Sequence, residues 1–318
     1  MKNMIRQIPI PIAGVILGIT SLGNLIQEYS ETLRLICGGI GALLAVFLLL
    51  KFIIHPRQIV EDYQSPIIAS VSATIFMSVM QLSTYAYPYI GQLAYGLWLL
   101  AIISHLILMV WYAKKFLFRF RLEEIFPTVF ITYVGIIVGS VTSATFGQQS
   151  LGHVLFWLGF SLYVIAFMMI TYRYMKVEIP ESARPLFCIY TAPMSLSLAG
   201  YLTVATDVSL PFIFVLEILA QLLYLVVLTR LPKLLKLSFY PSFAAFTFPF
   251  VITALALKKY IWHLESLQLH VPEFLKIILL VETCIAVVMV LYTLGHFINY
   301  LFQHLKTDLQ SKTTVKYN

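Results

Sequence analysis

Ten apolar stretches, each of about 20 residues and so long enough to cross a bilayer core as a helix, leave this chain little freedom. They cover residues 9–27, 35–54, 66–86, 89–112, 127–147, 151–172, 185–206, 209–229, 240–258 and 274–303. What remains is too short for a separate soluble unit. The sequence therefore reads as a single transmembrane domain over 1–303 with a cytoplasmic C-terminal tail over 304–318. Composition agrees: 60% of residues are hydrophobic and 11% charged, against roughly 45–50% and about 25% in a soluble domain. The fold class is all-α integral membrane, with the lipid bilayer as its surroundings.

The net charge of +7 raises the question of nucleic acid, but the basic residues are dispersed over the loops of alternate hairpins and form no single patch. With a cytoplasmic N-terminus, seventeen lysines and arginines fall on the inside, among them Lys2, Arg6, Lys51, Lys114, Lys115, Arg173, Lys306, Lys312 and Lys316. Four fall outside: Arg34, Lys258, Lys259 and Lys276. This positive-inside asymmetry places both termini in the cytoplasm of a multi-pass cell-membrane protein and excludes a nucleic-acid partner. Treating the first span as a cleaved signal peptide would spoil that parity, and no small-residue cleavage site follows it. Cys37, Cys188 and Cys284 fall inside spans with no paired spacing and read as small packing residues.

The odd-numbered spans start alike, at "PIPIAG", "QSPIIAS", "IFPTVFI", "ARPLFCI" and "FYPSFAA". Pro11, Pro66, Pro127, Pro185 and Pro241 follow one another at intervals of 55 to 61 residues. Each falls in the first turn of a helix, where its missing N–H costs nothing. Five helical hairpins of one design are predicted. Small and hydroxylated residues recur on the odd spans at helical spacing, including Gly14 and Gly18; Ser70, Thr74 and Ser78; Thr132, Gly135 and Gly139; Ala192 and Ser195. Such stripes let helices approach closely. Repeated on four equivalent helices, they also fit an inner ring of five odd helices around a neutral pore, with the five even helices outside. The even spans are rich in Leu, Ile, Val, Phe and Trp, which suits lipid.

The ninth span departs from the pattern. In "SFAAFTFPF", Ala245 and Pro249 offer a small face while Phe243, Phe246, Phe248 and Phe250 crowd it. Pro249 is expected to bend the helix near its middle and push a ring toward the axis. Helical periodicity does not choose the ring, because Phe246 and Phe250 share one side and Phe248 lies about 200° away.

The proline-started helices, "DYQSP" before the third span, "FP" before the fifth and "SFAAFTFPF" in the ninth together resemble the tellurite-resistance/dicarboxylate transporter family, which includes bacterial TehA and plant guard-cell slow anion channels. The resemblance covers about residues 9–303. It implies a homotrimer in which each subunit has its own pore, blocked by a phenylalanine of the ninth helix. Matching the family's aromatic-hydroxyl-Phe-Pro segment to "FTFP" assigns that gate to Phe248. The long cytoplasmic regions through which plant members are phosphorylated have no counterpart here.

On this reading the chain passes small inorganic anions, chloride or nitrate, with hydroxyls of the third and fifth helices offsetting part of the dehydration cost. The alternative is a secondary transporter of tellurite, sulfite or dicarboxylates, coupled to protons through Glu217, Glu282, His105 or His296. No enzyme motif, metal cluster or phosphate-cradling loop stands in the sequence, so no catalytic residue and no cofactor or metal is expected. Tyr85, Tyr87 and Tyr89 are expected in an interfacial aromatic belt.

Overall fold

The computed structural model describes the backbone of residues 2–315 and the side chains of residues 5–304. The side chains of Lys2, Lys306, Lys312 and Lys316, counted in the charge asymmetry, lie outside the described residues, as do the last three positions of the expected tail. The described membrane segments are helical, with short interruptions. Among the described residues, eight helices are long and apolar enough to span a bilayer: α2 (Glu31–Ile54), α3 (Pro66–Ile90), α4 (Gln92–Leu117), α6 (Gln149–Lys176), α7 (Glu181–Val204), α8 (Leu210–Leu234), α9 (Pro241–Ser266) and α10 (Glu273–His304, continuing to Val315). The other two expected spans are shorter. The first is α1 (Ile12–Ile26), and the fifth, α5, is divided into Thr128–Tyr133 and Ile137–Phe146.

Burial separates the helices into two kinds. In α7 and α9, 83% of the spanning window is buried inside the protein, and 67% in α3, whereas α2, α4, α6, α8 and α10 range from 22% to 39%. Thirteen of the fifteen residues of α1 are buried. Leu35, Leu43, Leu100, Ile107, Ile165, Leu222 and Ile277 project outward from the second kind. Exposed apolar surface on this scale belongs against lipid. Contacts order the buried helices: α1 packs on α3, α3 on α5, α5 on α7, α7 on α9, and α9 again on α1. Each also packs against the helix that follows it in the chain.

The prolines act near helix starts. Pro11 caps α1, Pro66 opens α3, Pro127 caps α5 and Pro241 opens the 3-10 turn at the start of α9, while Pro185 lies within the 3-10 segment that begins α7. The buried helices also share interruptions. α3 breaks at Ser72, α5 at 134–136, and α7 and α9 change from 3-10 to α-helix at Thr191 and Thr247. Pro249 therefore does not kink a continuous helix, as its sequence position suggested. The backbone departs from helical geometry at Thr247 (φ −104°, ψ −92°), and Pro249 occupies the first turn of the α-helix that starts at Phe248, where no N–H is needed.

Each broken end exposes backbone groups that a dry interior must satisfy. At the α5 break the Thr132 carbonyl accepts from His105 Nε2 of α4 at 2.8 Å, which puts the proton of that fully buried imidazole on Nε2. Tyr85, expected in an interfacial belt, is instead buried. Its hydroxyl donates to the Thr20 carbonyl at 2.5 Å, and the Arg34 guanidinium lies 4.4 Å from its ring centre. Gly38 supplies the space, since a Cβ there would come within 2.6 Å of the Tyr85 ring.

Close approach of α1 and α9 depends on Gly18, because a Cβ at that position would overlap the Thr247 side chain. Gly96 on α4 has open space around the same atom. In purified protein, Gly18→Ala is expected to lower the thermal unfolding midpoint, the overpacking costing about 1–3 kcal/mol. Gly96→Ala is expected to leave the midpoint unchanged or raise it; equal midpoints for the two variants would contradict this packing.

Candidate functional site

A cavity of about 420 Å³ enters the bundle from the end at which α1, α3, α5, α7 and α9 begin. Arg6, Gln58, Asp62, Ser182 and Tyr300 frame its mouth. Deeper, its wall includes Gly14 and Leu17 of α1, Thr74 and Met77 of α3, Gly135 of α5, Ala192 and Leu196 of α7, and Ala245, Phe248 and Pro249 of α9. The helix interruptions all lie along this wall. Val71 and Thr74 flank the break at Ser72, Val134 and Gly135 belong to the α5 break, Ala192 and Pro193 follow Thr191, and Ala245 and Phe248 flank Thr247. On α1 the corresponding wall is the non-helical run Ile8–Pro11.

The break at Thr247 decides which phenylalanine reaches the cavity. Phe243, Phe246 and Phe250 are 0% exposed, whereas Phe248 is 8% exposed and borders the open volume. Phe243 and Phe246 pack on each other with ring centres 4.8 Å apart, and Phe250 lies against Tyr224 of α8 at 5.8 Å. Thr247 fixes the turn by donating its hydroxyl to the Gly14 carbonyl (2.8 Å) and to its own Ala244 carbonyl (2.7 Å). The backbone of α9 is thereby tied to α1 one residue before the ring.

Of the sequence-predicted site residues, Gly14, Thr74, Gly135, Ala192, Ala245, Phe248 and Pro249 lie on the cavity wall. Gly18, Ser70, Ser78, Thr132, Gly139 and Ser195 are not among the residues that line it. The hydroxyls of this second group join neighbouring buried helices. Ser78 donates to the Ala13 carbonyl at 3.0 Å, linking α3 to α1. Ser70 donates to Thr128 Oγ1 at 2.6 Å, and Thr132 to the Ser70 carbonyl at 3.1 Å, linking α3 and α5. Ser195 and Thr253 are 3.1 Å apart between α7 and α9. Gly139 faces outward, where a Cβ would meet Leu155 of α6 and Ile102 of α4. Gly18 closes the α1–α9 contact.

The deep wall is neutral. Its hydroxyl, that of Thr74, donates to the Val71 carbonyl at 2.6 Å. Charge is confined to the mouth, where Lys51 Nζ donates to the Ile8 carbonyl (2.7 Å) and pairs with Asp62 (3.4 Å), while Arg6 is exposed. Glu217, Glu282, His105 and His296 do not line the cavity. Glu217 accepts from Gln221 at 2.8 Å, and both Glu282 side-chain oxygens are buried without a hydrogen-bond partner among the described residues. No group of three or more potential metal ligands occurs among the described residues. Sequence reasoning missed the mouth. Gln58 and Asp62 belong to a short helix, Pro56–Asp62, in the loop between α2 and α3, and the polar run "RQIVED" before "YQSP" was the available signal.

A family model described as SLAC1, voltage-dependent anion channel, matches residues 7–298. No curated protein matches the chain.

The wall assignment is testable by cysteine modification after replacing Cys37, Cys188 and Cys284, which are unpaired. Ala192→Cys and Ala245→Cys are expected to react with a small charged thiosulfonate applied from the mouth side, and Ser195→Cys to remain unmodified. Equal labelling of Ser195→Cys and Ala192→Cys would contradict the boundary.

Proposed function

This chain belongs to the voltage-dependent anion channel family, and we propose that it passes small monovalent anions such as chloride and nitrate through a neutral pore held closed by Phe248. In this reading ten helices form five hairpins, with α1, α3, α5, α7 and α9 around the pore and the even helices outside. Both termini face the cytoplasm of the cell membrane. The subunits assemble as the homotrimer implied by the family resemblance, each with its own pore.

The observation that carries the proposal is the position of one ring. Three neighbouring phenylalanines are packed away from the cavity while Phe248 borders it, on the wall that also carries the interruptions of α3, α5, α7 and α9. A benzyl group at a narrow point blocks by volume and by excluding water, and its positive edge tolerates an anion better than an aliphatic plug does. The rest of the wall offers few hydrogen-bond donors, since Thr74 donates to its own helix. An ion entering it must shed water at large cost. Weakly hydrated monovalent anions shed water most readily.

The same argument weighs against the carrier reading. A dicarboxylate dianion has two charged groups to desolvate where chloride has one, so it would lose about twice as much or more. A neutral wall holds nothing to compensate. The groups through which the carrier reading would couple protons, Glu217, Glu282, His105 and His296, all lie off the cavity wall.

Expressed in oocytes or planar bilayers, Phe248→Ala is expected to raise anion conductance about tenfold or more, which corresponds to removing about 1.4 kcal/mol from the permeation barrier. A well-expressed Phe248→Ala protein with unchanged, near-zero current would overturn the gate assignment.

A further inference from the structure

Beyond Phe248 the helix α9 continues, and its burial pattern is selective. From Val251 to Tyr260 every residue is buried except Leu255 and Lys259. These two follow Phe248 by seven and eleven residues, which at 100° per residue places both within about 20° of its direction. The partly open stripe of α9 thus runs from Phe248 to Lys259, about 16 Å further along the axis. On α7, Thr203 stands eleven residues after Ala192 and seven after Leu196, both on the cavity wall, and is also partly exposed. Lys259 Nζ donates to Thr203 Oγ1 at 3.0 Å. Two helices therefore bring their cavity-side stripes together at a cation.

That cation differs from its neighbour in sequence. Lys258 donates to the Leu25 carbonyl at 2.8 Å and forms an ion pair with Glu28 at 3.0 Å. Other basic groups at this end are also neutralised, Arg34 by Glu31 and Lys276 by Glu265. Lys259 has no carboxylate within ion-pair distance among the described residues. An ammonium has three protons to donate, and one is placed on Thr203. The Thr203 hydroxyl gives its own proton to the Ala199 carbonyl at 2.7 Å, so toward Lys259 it acts as acceptor and holds the ammonium in place. Two N–H donors remain on its nitrogen.

We propose that Lys259 is an anion-binding step at the far end of the pathway, opposite the cavity mouth, with Thr203 as its positioning residue. The ligand class is a small monovalent inorganic anion. The assignment rests on the pore reading above and adds to it a charged site on the other side of the constriction. An unpaired cation at a pore end raises the local anion concentration and the rate of capture, by an amount that salt screens. Its effect is therefore directional, acting on anions that arrive from that end.

The test records currents in the Phe248→Ala background with Lys259, Lys259→Gln or Lys259→Arg. At about 10 mM anion on the far side, where the screening length is about 30 Å, Lys259→Gln is expected to reduce the current carried by anions entering from that side about tenfold. The deficit should shrink near 1 M salt, and Lys259→Arg should restore the current. Equal currents for Lys259 and Lys259→Gln at low salt overturn the proposal while leaving the pore reading intact. Absence of any current in Phe248→Ala counts against the pore reading, and a second measurement then decides this one. Nitrate in place of gluconate should raise the thermal midpoint of the purified protein with Lys259 or Lys259→Arg and not with Lys259→Gln; an equal rise in all three overturns the site.

Discussion

Inside a bilayer no water is available to a hydroxyl or a freed carbonyl, so each polar group on the buried helices must find its partner in the protein. In this fold many hydroxyls bond back to their own helix, as those of Thr20, Ser143 and Ser197 do, while a smaller set reaches across helix boundaries. Ser78 reaches α1, Ser70 and Thr132 join α3 to α5, Ser195 meets Thr253 between α7 and α9, and Thr247 ties α9 back to α1. Between α5 and α7 the corresponding contact, Ser140 to the Gly200 carbonyl, is longer at 3.5 Å. Interhelical hydrogen bonds in membranes are worth about 0.6 kcal/mol each on average. Their sum is modest, and their main consequence is register: each fixes the height and rotation of one buried helix against the next.

Register is what the site needs. The interruptions at Ser72, 134–136, Thr191 and Thr247 all lie along one cavity wall. Where α9 breaks, its hydrogen bond to Gly14 secures the turn, and the next residue is Phe248. A helix continuous through this point would rotate the four phenylalanines together. The change from 3-10 to α-helix at Thr247 instead leaves Phe243 and Phe246 packed on one side of the break and turns Phe248 to the open volume.

Much of this was legible in the sequence, for identifiable reasons. The apolar runs and the recurring prolines located the helices, since length and the missing proline N–H act locally. Phe248 was assigned through the resemblance; periodicity alone left it level with Phe246 and Phe250, because periodicity assumes the unbroken helix that α9 is not. The stripes of small and hydroxylated residues identified the buried helices, but the stripe does not tell a wall residue from a helix-joining one. Ser70 and Thr74 are four positions apart on the same helix, yet Ser70 bonds Thr128 while Thr74 borders the cavity. Which hydroxyl meets a neighbour depends on tertiary spacing that no single helix encodes. The mouth was missed for a similar reason, since it combines Arg6, Gln58, Ser182 and Tyr300 from four distant segments.

The central claim is that a neutral, helix-walled cavity conducts anions passively once the Phe248 ring is removed. Its most direct test is the reversal potential of Phe248→Ala under independent anion and proton gradients. The account predicts a reversal that tracks the anion Nernst potential and stays fixed when pH on either side is changed. A reversal that moves with the proton gradient at constant anion concentrations would contradict it.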